Sequence, residues 1–171
     1  MDNPLPPLRR SAKNMSSKHQ RVGSISNAHV GAAFEQVALE YFESIGLSLS
    51  LNHKVSVGLH STKEHAFDLG SEDPKILVEC KSHKWTKGGK VPSAKMTTWN
   101  EAMYYFHLAP EGYRKIFFVL HHRRNEDGES LVSYYHRIYS HFIPEDVEFV
   151  EWDEANNQII SQQTKLQNKA Q

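Results

Sequence analysis

The run Ile116-Phe117-Phe118-Val119-Leu120 most narrows what this chain can fold into. Five consecutive apolar residues offer no polar face to water, so the segment reads as a central strand covered on both sides. The stretch Ile76 to Lys81 is a second strand, whose alternation sends Ile76, Val78 and Cys80 to one face and Leu77, Glu79 and Lys81 to the other. Between the two strands, Ser93 following Pro92 is placed to cap a helix that runs to about His107 and stops before Pro110, with Met96, Trp99, Met103 and Phe106 at helical spacing.

Upstream, Asn27 is the expected cap of a helix from about Ala28 to Ile45 that ends at Gly46. Val30, Phe34, Val37, Tyr41 and Ile45 form its apolar stripe, and Glu35 falls roughly 100° to 120° from the stripe's centre, at its edge. Leu47, Leu49, Leu51, Val55, Val57 and Leu59 alternate with polar residues and Gly58, predicting one long half-buried strand. A turn built on Gly70 and Pro74 joins a strand at Ala66–Leu69 to Ile76–Lys81. Leu131, Tyr134, Tyr135, Ile138, Tyr139 and Phe142 predict a further helix, and Val147 to Trp152 a last strand. The predicted class is α/β, a mixed central sheet flanked by helices in the order α-β-β-β-α-β-α-β.

Asp68, Glu79 and Lys81 lie on consecutive short strands that the turn can bring to one end of the sheet. Carboxylate oxygens suit magnesium, with manganese as a substitute, because the hard cation takes one or two protein carboxylates and keeps several waters. Lys81 would then orient or stabilise an attacking hydroxide, and the implied reaction is phosphodiester hydrolysis. The same residue types also describe a surface hairpin with a solvated Glu/Lys pair, and spacing alone favours that reading until context decides. Cys80 points inward as a small hydrophobe, although its backbone carbonyl could reach a metal. The 11 histidines show neither a Cys/His quartet nor a His-Glu-x-x-His spacing, which argues against zinc.

Asp68, with Glu79-Cys80-Lys81 behind an apolar run, resembles the PD-(D/E)xK nuclease superfamily over much of the chain. Phe67 stands where the pattern's name has Pro, a position the family keeps loosely. The resemblance implies a restriction-endonuclease-like core of helix, three-stranded meander, helix and strand. It also implies that Glu35, on the first helix, joins Asp68 and Glu79 at the metal site.

At 171 residues and 39% apolar composition the chain suits one domain, expected over residues 28–154. Residues 1–27 carry Arg9, Arg10, Lys13, Lys18 and Arg21 against Asp2, with several prolines and serines, and are expected to be a disordered basic tail. Residues 155–171, rich in Asn and Gln, are expected to be frayed. No apolar run suits a signal peptide or a membrane span, and a single cysteine fits a reducing cytoplasm, so a cytoplasmic location is expected.

The formal net charge is zero, but it is unevenly spread. Between Glu79 and Glu101 there is no acid, while Lys81, Lys84, Lys87, Lys90 and Lys95 stand beside His83, Trp85 and Trp99. That segment is placed to grip DNA phosphates next to a cut, with Arg114, Lys115, Arg123 and Arg124 as an extension. The function expected is a magnesium-dependent DNA endonuclease. A structure-specific nuclease such as a Holliday-junction resolvase, or a non-catalytic nucleic-acid-binding module of the same fold, is the alternative. Cutting both strands of a duplex makes a two-fold homodimer the economical arrangement.

Overall fold

The computed structural model describes residues 27–163. The expectation of a disordered basic tail falls almost wholly outside the described residues, as does the end of the expected C-terminal tail.

Helix α1 (Asn27–Ser44) is followed by strands β1 (Ser50–Val57), β2 (Lys63–Glu72) and β3 (Lys75–Lys81), then by α2 (Ser93–Leu108) and β4 (Arg114–Leu120). Helix α3 (Leu131–Tyr139) continues as a 3-10 turn at Ser140–Phe142 before β5 (Val147–Asp153) and β6 (Gln158–Gln163). The six strands form one mixed sheet in chain order, antiparallel from β1 to β3, parallel from β3 to β5, and antiparallel again at β6. Helix α1 covers one face, packing Phe34, Ala38 and Phe42 on Ile76, Val78, Cys80, Ile116, Phe118 and Leu120. The other face carries α2 and α3, whose Trp99, Met103, Phe106 and Tyr135 meet Leu77, Phe117, Val119 and Phe149. Both faces of the central strands are therefore apolar, as the unbroken run in β4 requires. Among the described residues no helix is long and apolar enough to cross a membrane.

Four local expectations are corrected. The buried stripe of α1 centres on Phe34, Ala38 and Phe42, while Val30 and Ile45 are 43% and 52% exposed. Glu35 thus lies about 60° from the stripe's centre and is half-buried. Ser93 is the first residue of α2, not its cap; Pro92 precedes it, and its carbonyl accepts from the Met96 N–H at 3.1 Å. Gly70 lies inside β2, paired with Ser50 and Leu77 and outside the turn, and a Cβ there would come within 2.6 Å of the His53 ring. Residues 158–163, expected to fray, form β6. Asp153 makes the return turn by accepting from the N–H groups of Ala155 and Asn156, Asn157 supplies a φ of 53°, and Ile159 packs against the α1-side core.

The alternation expected along β1 also fails, and this shapes the site. Leu49 and Leu69 join the α1-side core, yet Val55, Val57 and Phe67, of the same parity, join the opposite one. Asn52 has a φ of 54°, a left-handed conformation that Asn tolerates, and it lies between the paired positions Leu51↔Leu69 and His53↔Phe67. The hairpin therefore rolls over at Asn52 and Asp68.

Candidate active site

The β2–β3 ladder runs from Glu72↔Lys75 up to Leu69↔Val78 and stops there. Beyond it β2 leaves β3, and the N–H of Cys80 is bonded by the Asp68 carboxylate, which accepts it at Oδ2 over 2.7 Å. Asp68 is thus fixed at the fork by a backbone bond. Glu79 and Lys81 point to the α2 side of β3, as strand alternation expects. Lys81 Nζ donates to Glu79 Oε2 at 2.7 Å and lies 3.5 Å from Asp68 Oδ2. Two carboxylates and one ammonium therefore meet at a single point.

All three are largely withdrawn from water, with side chains 24% (Asp68), 9% (Glu79) and 17% (Lys81) exposed. Burial and the nearby Glu79 charge raise the Asp68 carboxyl above its ordinary range, against the pull of Lys81. Burial acts on Glu79 in the same direction, but His65 and Lys81 outweigh it and hold that carboxyl low. For Lys81, burial opposes the charge while Glu79 and Asp68 more than restore it, so the ammonium stays protonated. Glu35 is half-buried on α1, and its carboxyl is raised by its own burial and then by Asp68, with Lys81 opposing.

The cluster opens onto a cavity of about 260 Å3 between the β2–β3 fork and α2. Residues that sequence reasoning passed over complete its walls: His65 from β2, and Thr98, Glu101 and Tyr105 from one face of α2. His65 stacks on Tyr105 with ring centroids 3.6 Å apart, and its buried Nε2 stands 3.5 Å from Glu79 Oε1. That approach is an ion-pair contact without hydrogen-bond geometry, since the same nitrogen has no hydrogen-bond partner. The helical spacing of Thr98, Glu101 and Tyr105 was a usable signal. His65 gave none, because strict alternation would set it on the face opposite Asp68.

The donor chemistry fits magnesium, which needs one or two carboxylates and otherwise takes water and phosphate oxygen. Asp68 and Glu79 both reach the Lys81 ammonium, so their oxygens already converge on one small volume. Among the described residues no three His, Cys, Asp or Glu side chains are grouped to hold an ion. The geometry offers a carboxylate pair, Asp68 and Glu79. Cys80 contributes its N–H to Asp68, and its thiol is buried and held well above its usual pKa, first by burial and then by Asp68.

The basic segment is partly structural. Lys87, Lys90 and Lys95 are exposed, whereas Lys84 lies 3.4 Å from Glu154 in a solvent-facing pair. Trp99 and Trp85 are buried, at 0% and 5% exposure, and do not face a partner. His83 accepts from Trp99 Nε1 at 2.9 Å, and burial, then Lys95 and Lys81, lower its pKa to about 4. The Trp85 backbone N–H donates to His122 Nδ1, and its indole ring lies beneath the Arg124 guanidinium. The loop between β3 and α2 is thus anchored by aromatic residues and presents lysines outward.

No protein-family profile matches the chain, and no curated protein matches it. Among solved structures, the chain is similar to the crystal structure of an XisH family protein from Nostoc punctiforme, at 15% identity and a TM-score of 0.44, over 75% of this chain and 97% of that one.

Proposed function

We propose that the chain is a magnesium-dependent endonuclease that hydrolyses DNA phosphodiester bonds. The observation that supports this reading is the meeting of Asp68, Glu79 and Lys81 at an open cavity where β2 parts from β3. In this reading Asp68, Glu79 and the Cys80 carbonyl hold the ion, with Glu35 as a further carboxylate beside them and manganese as the substitute. When bound, the cation lowers the pKa of a coordinated water and neutralises charge on the phosphate. Lys81, protonated between two acids, serves as a hydrogen-bond donor and positive charge toward the attacking oxygen and the phosphate oxygens. Lys87, Lys90 and Lys95, with Lys84 once released from Glu154, contact phosphates flanking the cut. Two copies related by a two-fold axis supply one site for each strand.

A second reading, a nucleic-acid-binding module without catalysis, draws on one observation: Lys81 already answers both carboxylates as a closed ion pair. The two separate in one experiment, in which the purified chain is incubated with Mg2+ and duplex, single-stranded, branched or RNA substrates beside its Lys81→Ala variant. Metal-dependent cleavage lost in the variant establishes the enzyme. Preference for the branched substrate establishes the structure-specific form, and binding without cleavage by either protein establishes the module.

A further inference from the structure

The tip of the β1–β2 hairpin is tied back to α2 by the Gly58 N–H, which donates to the Leu108 carbonyl at 3.2 Å. Gly58 has a φ of +148°, and a Cβ there would lie 2.0 Å from the Ser61 carbonyl oxygen, so the tip holds its shape only with glycine. Between the tied tip and the helix is a cleft of about 440 Å3. That volume falls within the range, about 300–1,000 Å3, of sites that hold one small organic group. Its mouth carries Leu59 and Tyr104, which are 67% and 55% exposed, and its charged wall carries Lys63 and Glu64. Glu64 is paired with Lys54 at 2.8 Å, so its charge is answered within the hairpin and Lys63 leaves the wall net positive. At its inner end the cleft is lined by His65 and Tyr105, the stacked pair that also lines the cavity of Asp68, Glu79 and Lys81. The two openings share a wall.

We propose that this cleft is a subsite for an unpaired nucleotide of the DNA strand that enters the candidate active site, its base lying against Tyr104 and Leu59 and its phosphate facing Lys63. The inference rests on the reading of the site as a DNA phosphodiesterase and adds to it the substrate class, DNA with a single-stranded extension. Bases in a duplex are stacked on one another and hide their faces, whereas an unpaired base can lay its π-face on an aromatic ring. A cleft with an exposed aromatic and aliphatic mouth and a positive wall matches both halves of such a nucleotide. A blunt duplex has no free base to place in it.

Binding is measured by fluorescence anisotropy with the full chain and no added divalent cation, on a labelled blunt duplex and on the same duplex bearing a single-stranded extension. Tyr104→Ala should weaken binding of the extended DNA about tenfold and that of the blunt duplex less than about twofold. Tyr104→Phe, which keeps the ring, should restore it, and Leu59→Ala should repeat the selective loss. Equal loss on both DNAs, no loss on the extended one, or no binding to either DNA overturns the subsite. Cleavage is scored separately with Mg2+ and the wild-type chain. Cleavage with extension binding indifferent to Tyr104 removes this inference alone, and Tyr104-dependent binding without cleavage supports it while removing the hydrolase reading alone.

Discussion

Replacing Lys81 by Met tests the site through stability, independently of any substrate. Methionine keeps most of the aliphatic stem and removes only the ammonium, leaving Asp68 and Glu79 facing each other in a largely buried place. At 2.7 Å and 3.5 Å, with an effective dielectric constant of about 20, the lost attractions are about 6 and 5 kcal/mol gross. The net cost is far smaller, because Lys81 no longer has to be desolvated. Breaking a buried pair by removing one partner typically costs about 3–5 kcal/mol. With Asp68 about a quarter exposed, the low end applies, about 3 kcal/mol. For a chain of 171 residues this is a fall in melting temperature of about 6–12 °C. Magnesium should then stabilise the variant more than the wild type, since the cation no longer competes with the ammonium. An ion at about a hundred times its Kd would return about 2.7 kcal/mol. The assay is thermal unfolding of both proteins with and without Mg2+, alongside Glu79→Gln/Lys81→Met, in which the rescue should vanish. A melting temperature lowered by less than about 2 °C would refute the burial argument. A magnesium effect no larger in Lys81→Met than in the wild type would refute the carboxylate pair as a cation site.

Asp68→Asn and Glu79→Gln should each abolish cleavage while retaining cooperative unfolding and DNA affinity; near wild-type cleavage at limiting Mg2+ in either would remove the metal assignment. Glu35→Gln should raise the Mg2+ concentration needed for half-maximal cleavage, and an unchanged metal titration would release Glu35 from the site. Neutralising Lys84, Lys87 and Lys90 together should flatten the plot of log affinity against log salt by about one unit per phosphate contact, with Lys84 contributing least because Glu154 competes for it. An unchanged slope would assign these lysines to a solvated loop. His83, with its pKa lowered from 6.5 to about 4, stays neutral in the fold while the unfolded chain takes up its proton, so the stability it contributes is present above pH 6.5 and is lost as pH falls toward 4. Melting temperatures across that window should fall less steeply for His83→Gln than for the wild type, and parallel slopes would refute the assignment.

The elements most legible in the sequence are those whose burial is two-sided or strictly periodic. Strand β4 and the alternation of Glu79 and Lys81 along β3 follow from side-chain polarity alone. The apolar stripe expected on α1 misses the buried one because Ala38, fully buried, weighs little on a hydrophobicity count although its small size lets the helix approach the sheet. The roll of the hairpin at Asn52 and Asp68 is a backbone event with no apolar signature, and it brings His65 and Asp68 to one cavity. Strand β6 is hard to read in the sequence because an edge strand needs only a ladder and a turn. Its polar composition resembles that of a solvated tail, and only the Asp-Glu-Ala-Asn-Asn turn announces it.

The bond from the Cys80 N–H to Asp68 places two evolutionary demands on one oxygen atom. Folding requires an acceptor at the fork, and the proposed chemistry requires a carboxylate in the same place. A lineage that abandoned the chemistry and kept the fold would therefore shed its residues in a definite order. Once Lys81 is lost, Glu79, only 7% exposed, keeps only the 3.5 Å approach of His65 against its buried charge, and the two should disappear together. Position 68 should change later, and first to Asn or Ser, whose side-chain oxygens still accept the orphaned N–H. Descendants with an acceptor at 68 and an apolar pair at 79 and 81 would be the expected fossils of such a site, whereas descendants that lost position 68 first would show that the fork is held by something else.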